Sequence, residues 1–263
     1  MTPIRLVLGA GFVLAALATA AVPTVATSAT PAATAAAPAE PPDVDPDAVK
    51  ALTRMSAYLT TLTAFEVLAD TSQDLVMDDG QIIKLDGTNR YTVRRPDSFI
   101  VEVATSRKAR VIYYNGKSLT LDAPRMGYYA TVDAPPTIRQ AITMINDDYG
   151  VTLPLQDLFT WADPGAADNA PLESAIVVGP ASVDGVECDQ YAFREGDLDW
   201  QIWIQKGDQP LPRKVVIIDR TDLSHPQYEV KLHWNLAPLI TSDSFTYRPS
   251  AAAMKIKMPS ARR

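Results

Sequence analysis

Between Thr63 and Thr131 apolar side chains recur at every second position in short runs cut by turn residues, and the same pattern returns from Ala175. Phe65, Val67 and Ala69 alternate, Asp79-Gly80 makes a turn, Tyr91 and Val93 precede Pro96, and Phe99, Val101 and Val103 form the next run. In "VIYYNGKSLTL", Asn115-Gly116 stands between two apolar runs, and this dipeptide tolerates positive φ at both turn positions best. Hairpins in series make an antiparallel meander, which confines the chain to the mainly β class.

The second meander is carried by "DGVECDQYAFREGDLDWQIWIQKGDQPLPRKVVIIDR", "QYEVKLHWN" and "SFTYRP". Within it Trp200, Ile202 and Ile204 alternate with Gln201, Trp203 and Gln205, whereas Val215, Val216, Ile217 and Ile218 run on without a break. Such a strand has apolar groups on both faces and needs cover on both. With no repeat at a fixed period, the two meanders read as one strongly curved sheet. Its concave face must be filled by side chains, covered by helices, or left open to an apolar ligand.

Two segments read as helical. Asp45 is a suitable N-cap before Pro46, and Val49, Leu52, Leu59 and Leu62 then share one helical face. After Pro135-Pro136, residues Ile138, Ala141, Ile142 and Ile145 fall at i, i+3, i+4 and i+7. Leu153, Leu155, Leu158, Phe159 and Trp161 follow Gly150, so residues 135–161 are expected to hold two short helices, apolar on one side.

The first residues set the compartment. Arg5 precedes an apolar run from Leu6 to Ala21 that ends in Ala18-Thr19-Ala20, the pattern of an export signal with its cleavage site. Residues 1–20 are expected to be a signal peptide and residues 21–45 an Ala/Pro/Thr-rich disordered linker. Residues 46–258 follow as a single half-barrel domain. Left uncut and extended through Val22 and Val25, the same run of roughly 20 residues would just span a bilayer. The single cysteine, Cys188, excludes an internal disulfide, and no cysteine follows the signal to take a lipid anchor. The net charge of -7 and pI near 4.9 argue against attraction to nucleic acid or anionic headgroups.

Catalytic signals are absent from the pattern. The two histidines, His225 and His233, come with no HExxH or CxxC, so neither a metal site nor a cofactor is expected. "DVDPDA" begins like a calcium loop but has Ala48 where glycine is required and Arg54 where the bidentate glutamate belongs. "NGKS" ends like a phosphate loop yet sits in a hairpin turn. The pairs Asp78-Asp79, Asp147-Asp148 and Asp197 with Asp199 stand at turns or helix ends, where carboxylates bond locally. Cys188, with no adjacent histidine or basic group, reads as a buried apolar residue.

The stretches Arg94–Val103, Tyr113–Pro135 ("YYNGKSLTLDAPRMGYYATVDAP"), Tyr149–Phe159 ("YGVTLPLQDLF"), Asp199–Ile217 and Pro226–Asn235 resemble a family of predicted periplasmic proteins. That family is related to the Lol-type (LolA/LolB-like) outer-membrane lipoprotein carriers and to periplasmic regulators with the same domain. The resemblance covers about residues 46–258. It implies an unclosed antiparallel β-barrel of about eleven strands with an N-terminal helix and a helical lid over a hydrophobic cavity, which in the carriers takes acyl chains. The arginine that latches the lid in some carriers has no counterpart in these motifs.

The expectation is a periplasmic, non-enzymatic binding protein that carries or senses an acyl chain, lipid or lipidated protein. Its cavity and lid would be built from Phe99, Val101, Tyr113, Leu119, Ile138, Ile142, Ile145, Leu158, Phe159, Trp200, Ile202 and Trp234. The alternative is a protein-binding or regulatory envelope module whose barrel is filled by its own side chains. Expected partners are a lipid or lipidated protein and an envelope protein, with no nucleic acid and no membrane span once the signal is cut.

Overall fold

The computed structural model describes residues 43–105, 109–156, 159, 172–258 and 260. The expected signal peptide, most of the linker, Leu158 and Trp161 lie outside them.

The first meander is β2 (Ala64–Val76), β3 (Ile82–Arg94), β4 (Ser98–Thr105), β5 (Ala109–Tyr114), β6 (Ser118–Ala123) and β7 (Tyr128–Asp133). The second is β8 (Ser174–Val183), β9 (Val186–Glu195), β10 (Leu198–Gln205), β11 (Pro212–Asp219) and β12 (Gln227–Asn235). Strand β12 pairs antiparallel with β2, placing Trp234 opposite Val67, so the two meanders fuse into a single sheet. Eleven full strands result, as the resemblance implies. Two more, β1 (Asp43–Val44) and β13 (Met254–Lys255), are two residues long and pair parallel with β8 and β7 at the two edges. The chain's own flanks thereby blunt part of each edge, where unpaired backbone groups would otherwise recruit other strands.

The turns follow the sequence signals with one change. Gly116 has φ +80, but Asn115 stays at negative φ and instead accepts the amides of Lys117 and Ser118 through its side-chain oxygen. The turn with positive φ at both positions is Asp184-Gly185, between β8 and β9.

Helix α1 (Pro46–Thr61) begins as expected, with the Asp45 carboxylate accepting the Asp47 amide and Pro46 in the first turn. Its buried stripe is Ala48, Ala51, Leu52, Met55 and Leu59, while the expected Val49 and Leu62 sit half-buried at its border. Small alanines at the centre of the stripe allow the helix to lie close to the sheet, against β8. Helix α2 (Ile138–Tyr149) buries Ile138, Ala141, Ile142 and Ile145, is capped by Thr137, and stops at Gly150 in the left-handed conformation. Residues 151–156 are not helical and turn at 154–156, Phe159 is helical, and the rest of the expected second helix lies outside the described residues.

The segment "SFTYRP" is a further correction: it is not a strand. Ser242–Phe245 is a short 3-10 helix, and the following residues strap the outer face of the first meander. Phe245 is buried beneath the Arg94 guanidinium, and Tyr247 packs against Tyr113 and Tyr129 while donating to Asp122 at 3.1 Å. Strand β11 solves its two-faced pattern differently. Val215 and Ile217 point inward; Val216 points outward between Gln201 and Glu229 and is still only 7% exposed. Nearby, the Lys214 ammonium bonds Glu229 at 2.9 Å and lies 5.0 Å above the Trp203 ring. Among the described residues, long polar side chains and one tryptophan thus cover the outer apolar row without a second layer.

Candidate functional site: the concave face and its helical cover

Pairing register assigns each strand residue to a face, since directly opposed residues share one. Phe65, Val93, Phe99, Tyr114 and Leu119 form one inward row across β2 to β6. Val67, Tyr91, Val101 and Ile112 form the next. On the other half, Phe193, Trp200 and Ile217 form one row, and Tyr191, Ile202, Val215 and Val230 another. All of these side chains join a single buried cluster with α1 and α2.

Of the residues expected to line a cavity, Phe99, Val101, Leu119, Ile138, Ile142, Ile145, Phe159, Trp200 and Ile202 belong to this cluster, and Trp234 packs against it half-buried. The rings of Phe99 and Phe159 lie 5.7 Å apart, which ties the segment after α2 to β4. Trp234 packs on Phe65 and donates its indole N–H to the Pro212 carbonyl at 2.8 Å. Tyr113 is placed differently from expectation. It opposes Ile100 and Thr120 on the outer face, beneath Tyr247, and its neighbour Tyr114 takes the inward position.

Sequence reasoning missed what holds the cover. Tyr91 and Tyr114 are fully buried on the inner face, and their hydroxyls reach across to backbone carbonyls at the two ends of the α2 segment. Tyr114 donates to Pro135, before the helix, at 2.5 Å, and Tyr91 donates to Pro154, after it, at 2.9 Å. Burial, aided by the Asp97 carboxylate, pushes the Tyr114 phenol up to about 12, so it remains a donor at every physiological pH. The helix is further fixed at its start, where Ile138 N–H donates to Pro96 at 3.0 Å and Ala134 N–H to Lys117 at 2.8 Å. Between these ends its buried residues are all apolar. No signal in the chain could have marked these bonds, because their acceptors are backbone carbonyls.

The residues that line this face are chiefly apolar. Among the described residues no group of three or more His, Cys, Asp or Glu side chains gathers to hold a metal. His233 meets Asp70 at 3.2 Å on the exposed outer face. Cys188 is buried, and burial pushes its thiol up, against nucleophilic use.

Comparison with known proteins places this architecture. Residues 48–258 match the family model "Predicted periplasmic protein (DUF2092)". The chain belongs to this family. It is accordingly a periplasmic protein, and the match spans β2 to β13 with α2 and all but the first two residues of α1. No curated protein matches the chain in sequence. Among solved structures, it is similar to an uncharacterized conserved protein from Thermus thermophilus (12% identity, TM-score 0.47, covering 80% of this chain and 99% of that one). It is also similar to LprF from Mycobacterium bovis (13% identity, TM-score 0.42, 75% and 97%). A LolA superfamily protein from Nitrosomonas europaea matches at 11% identity with a TM-score of 0.34, over 76% and 97%. Among the described residues of this family member, no helix is long and apolar enough to cross a membrane.

Proposed function

We propose that the chain is a non-enzymatic binding protein of the periplasm that takes an acyl chain, as a lipid or on a lipidated protein, between the inner face of its sheet and the α2 segment. The observation carrying this reading is how α2 is held. Its buried contacts are apolar, and the hydrogen bonds that Tyr91, Tyr114, Pro96 and Lys117 make with it lie at its two ends. A cover built this way can lift as a unit, because separating apolar surfaces leaves no buried polar group stranded in mid-helix, and an acyl chain can replace the apolar surface withdrawn. Burial supplies about 0.8 kcal/mol per methylene, so ten methylenes contribute about 8 kcal/mol before ordering costs.

The alternative, a protein-binding module with a self-filled barrel, draws on a different observation. Ile202, Tyr91, Phe99 and Ile145 are all fully buried by the protein's own side chains. That packing is what a permanently filled barrel has, and also what a closed carrier has.

The test is mass spectrometry, native and then denaturing, on protein purified from its own periplasm without detergent. A lipid or lipopeptide that stays with the native protein is the expected result. A bare protein that also ignores an environment-sensitive hydrophobic dye overturns the reading.

A further inference from the structure

The inner face carries a carboxylate at its rim that nothing in the described structure uses. Glu195 is the last residue of β9 and opposes Leu198. It shares the inward side with Phe193 and Trp200, the next inward pair along the hairpin, whose rings stack at 4.2 Å and 20°. Glu195 is half-buried there, and among the described residues its carboxylate makes no ion pair or hydrogen bond.

The hairpin has cations, but they are turned away. Arg194 points outward and holds Asp199 with two bonds of 2.7 and 2.9 Å. Arg220 lies 4.0 Å from the same carboxylate and donates to the Gly196 carbonyl. Another inward carboxylate of this rim, Asp219, opposes Leu198 from β11 and accepts both the amide and the hydroxyl of Thr221. Glu195 is therefore left with an open acceptor beside an aromatic pair. Desolvation alone raises its pKa, with no neighbouring charge contributing.

A half-buried carboxylate without a partner costs stability, whereas an ammonium group gains from both a carboxylate and adjacent aromatic rings. We propose that Glu195 receives a cationic headgroup, so that the ligand of the inner face is an amphiphile with an ammonium group at the rim and its chain running inward past Trp200 toward Ile202. This rests on the inner face being an acyl site. The shared chemistry is an ammonium on an acyl-bearing molecule, whether from an aminophospholipid or from the amine of an acylated peptide.

The experiment uses the mature full chain and a matched series of twelve-carbon probes, each below its micelle concentration: dodecylamine, dodecanol and dodecanoate. Binding is followed by calorimetry. Dodecylamine is expected to bind about tenfold more tightly than dodecanol, with dodecanoate weakest. Glu195→Gln should erase the preference, and Asp197→Asn, which removes the same charge from the turn, should preserve it. Equal binding of amine and alcohol by the natural chain, or a preference that survives Glu195→Gln, overturns the headgroup assignment and leaves the acyl site standing. Failure of all three probes to bind overturns both. Once the preference is seen, lysophosphatidylethanolamine against N-dodecanoyl-lysine amide separates the two sources, the tighter ligand naming the one used.

Discussion

The buried hydroxyl of Tyr91 donates to the carbonyl of Pro154 at 2.9 Å, joining the floor of the concave face to the far end of its cover. Replacing Tyr91 with Phe removes that donor and little volume. It leaves the Pro154 carbonyl unpaired, at a cost of about 1 kcal/mol in the closed state. The expected outcome is a folded protein in which amide exchange over Ile138–Tyr149 is faster and hydrophobic dye binding is stronger. Unchanged exchange in Tyr91→Phe would show that the bond does not hold the cover down.

Ile142 tests whether the cover and the sheet are one core or two. It is 8% exposed, on the stripe of α2 that meets the inner face, and a carboxylate there cannot be buried at tolerable cost. With a separable cover, Ile142→Asp lifts α2. The sheet should keep its far-ultraviolet signature and cooperative melt, and affinity for dodecanol should be lost. Ile202→Asp, on a fully buried sheet position, is the contrast and should prevent folding. If Ile142→Asp unfolds the protein as completely as Ile202→Asp does, the self-filled barrel is the better reading.

The two meanders were legible because a period of two leaves a direct trace. Trp200, Ile202 and Ile204 alternate in the chain and all three are buried on one side of β10. Face assignment failed where that trace is silent. "VIYY" offers two adjacent tyrosines, and only the register with Phe99 and Leu119 decides that Tyr114 points in and Tyr113 out. "SFTYRP" alternates as a strand does, yet Phe245 and Tyr247 serve as anchors of a strap, because their partners Arg94, Tyr113 and Tyr129 are brought together only by the finished sheet. The inward position of Glu195 was equally hidden, since its parity depends on the pairing of β9 with β10.

Two glycines with nearly equal φ separate backbone strain from crowding. Gly80 (φ +82) faces open space, whereas a Cβ on Gly116 (φ +80) would stand 3.1 Å from the Asp97 Cβ. Gly80→Ala should cost about 1 kcal/mol from the left-handed conformation alone. Gly116→Ala should cost about 2–3 kcal/mol, because Asp97 must also give way. Urea midpoints of the two variants check this; equal midpoints would mean that the Asp97 turn yields freely.

Stability against pH should carry opposite signatures from the two acidic side chains of one hairpin. Burial raises the Glu195 carboxyl above its ordinary 4.5. Its protonated form is thus favoured by folding, and that contribution is full below about pH 4.5 and lost as pH rises through the folded value. The neighbouring Asp199 is held below 3.8, chiefly by its hydrogen bond with Arg194, so its contribution is present above that value and lost as pH falls. Glu195→Gln should therefore melt higher than the natural chain at pH 7, with the difference shrinking toward pH 4. Asp199→Asn should melt lower at pH 7, with its deficit shrinking only below about pH 4. Thermal melts at pH 7, 5 and 4 separate the two. A Glu195→Gln variant that melts lower at neutral pH would mean the carboxylate has a stabilising partner in the folded protein, and the free acceptor at the rim would not exist.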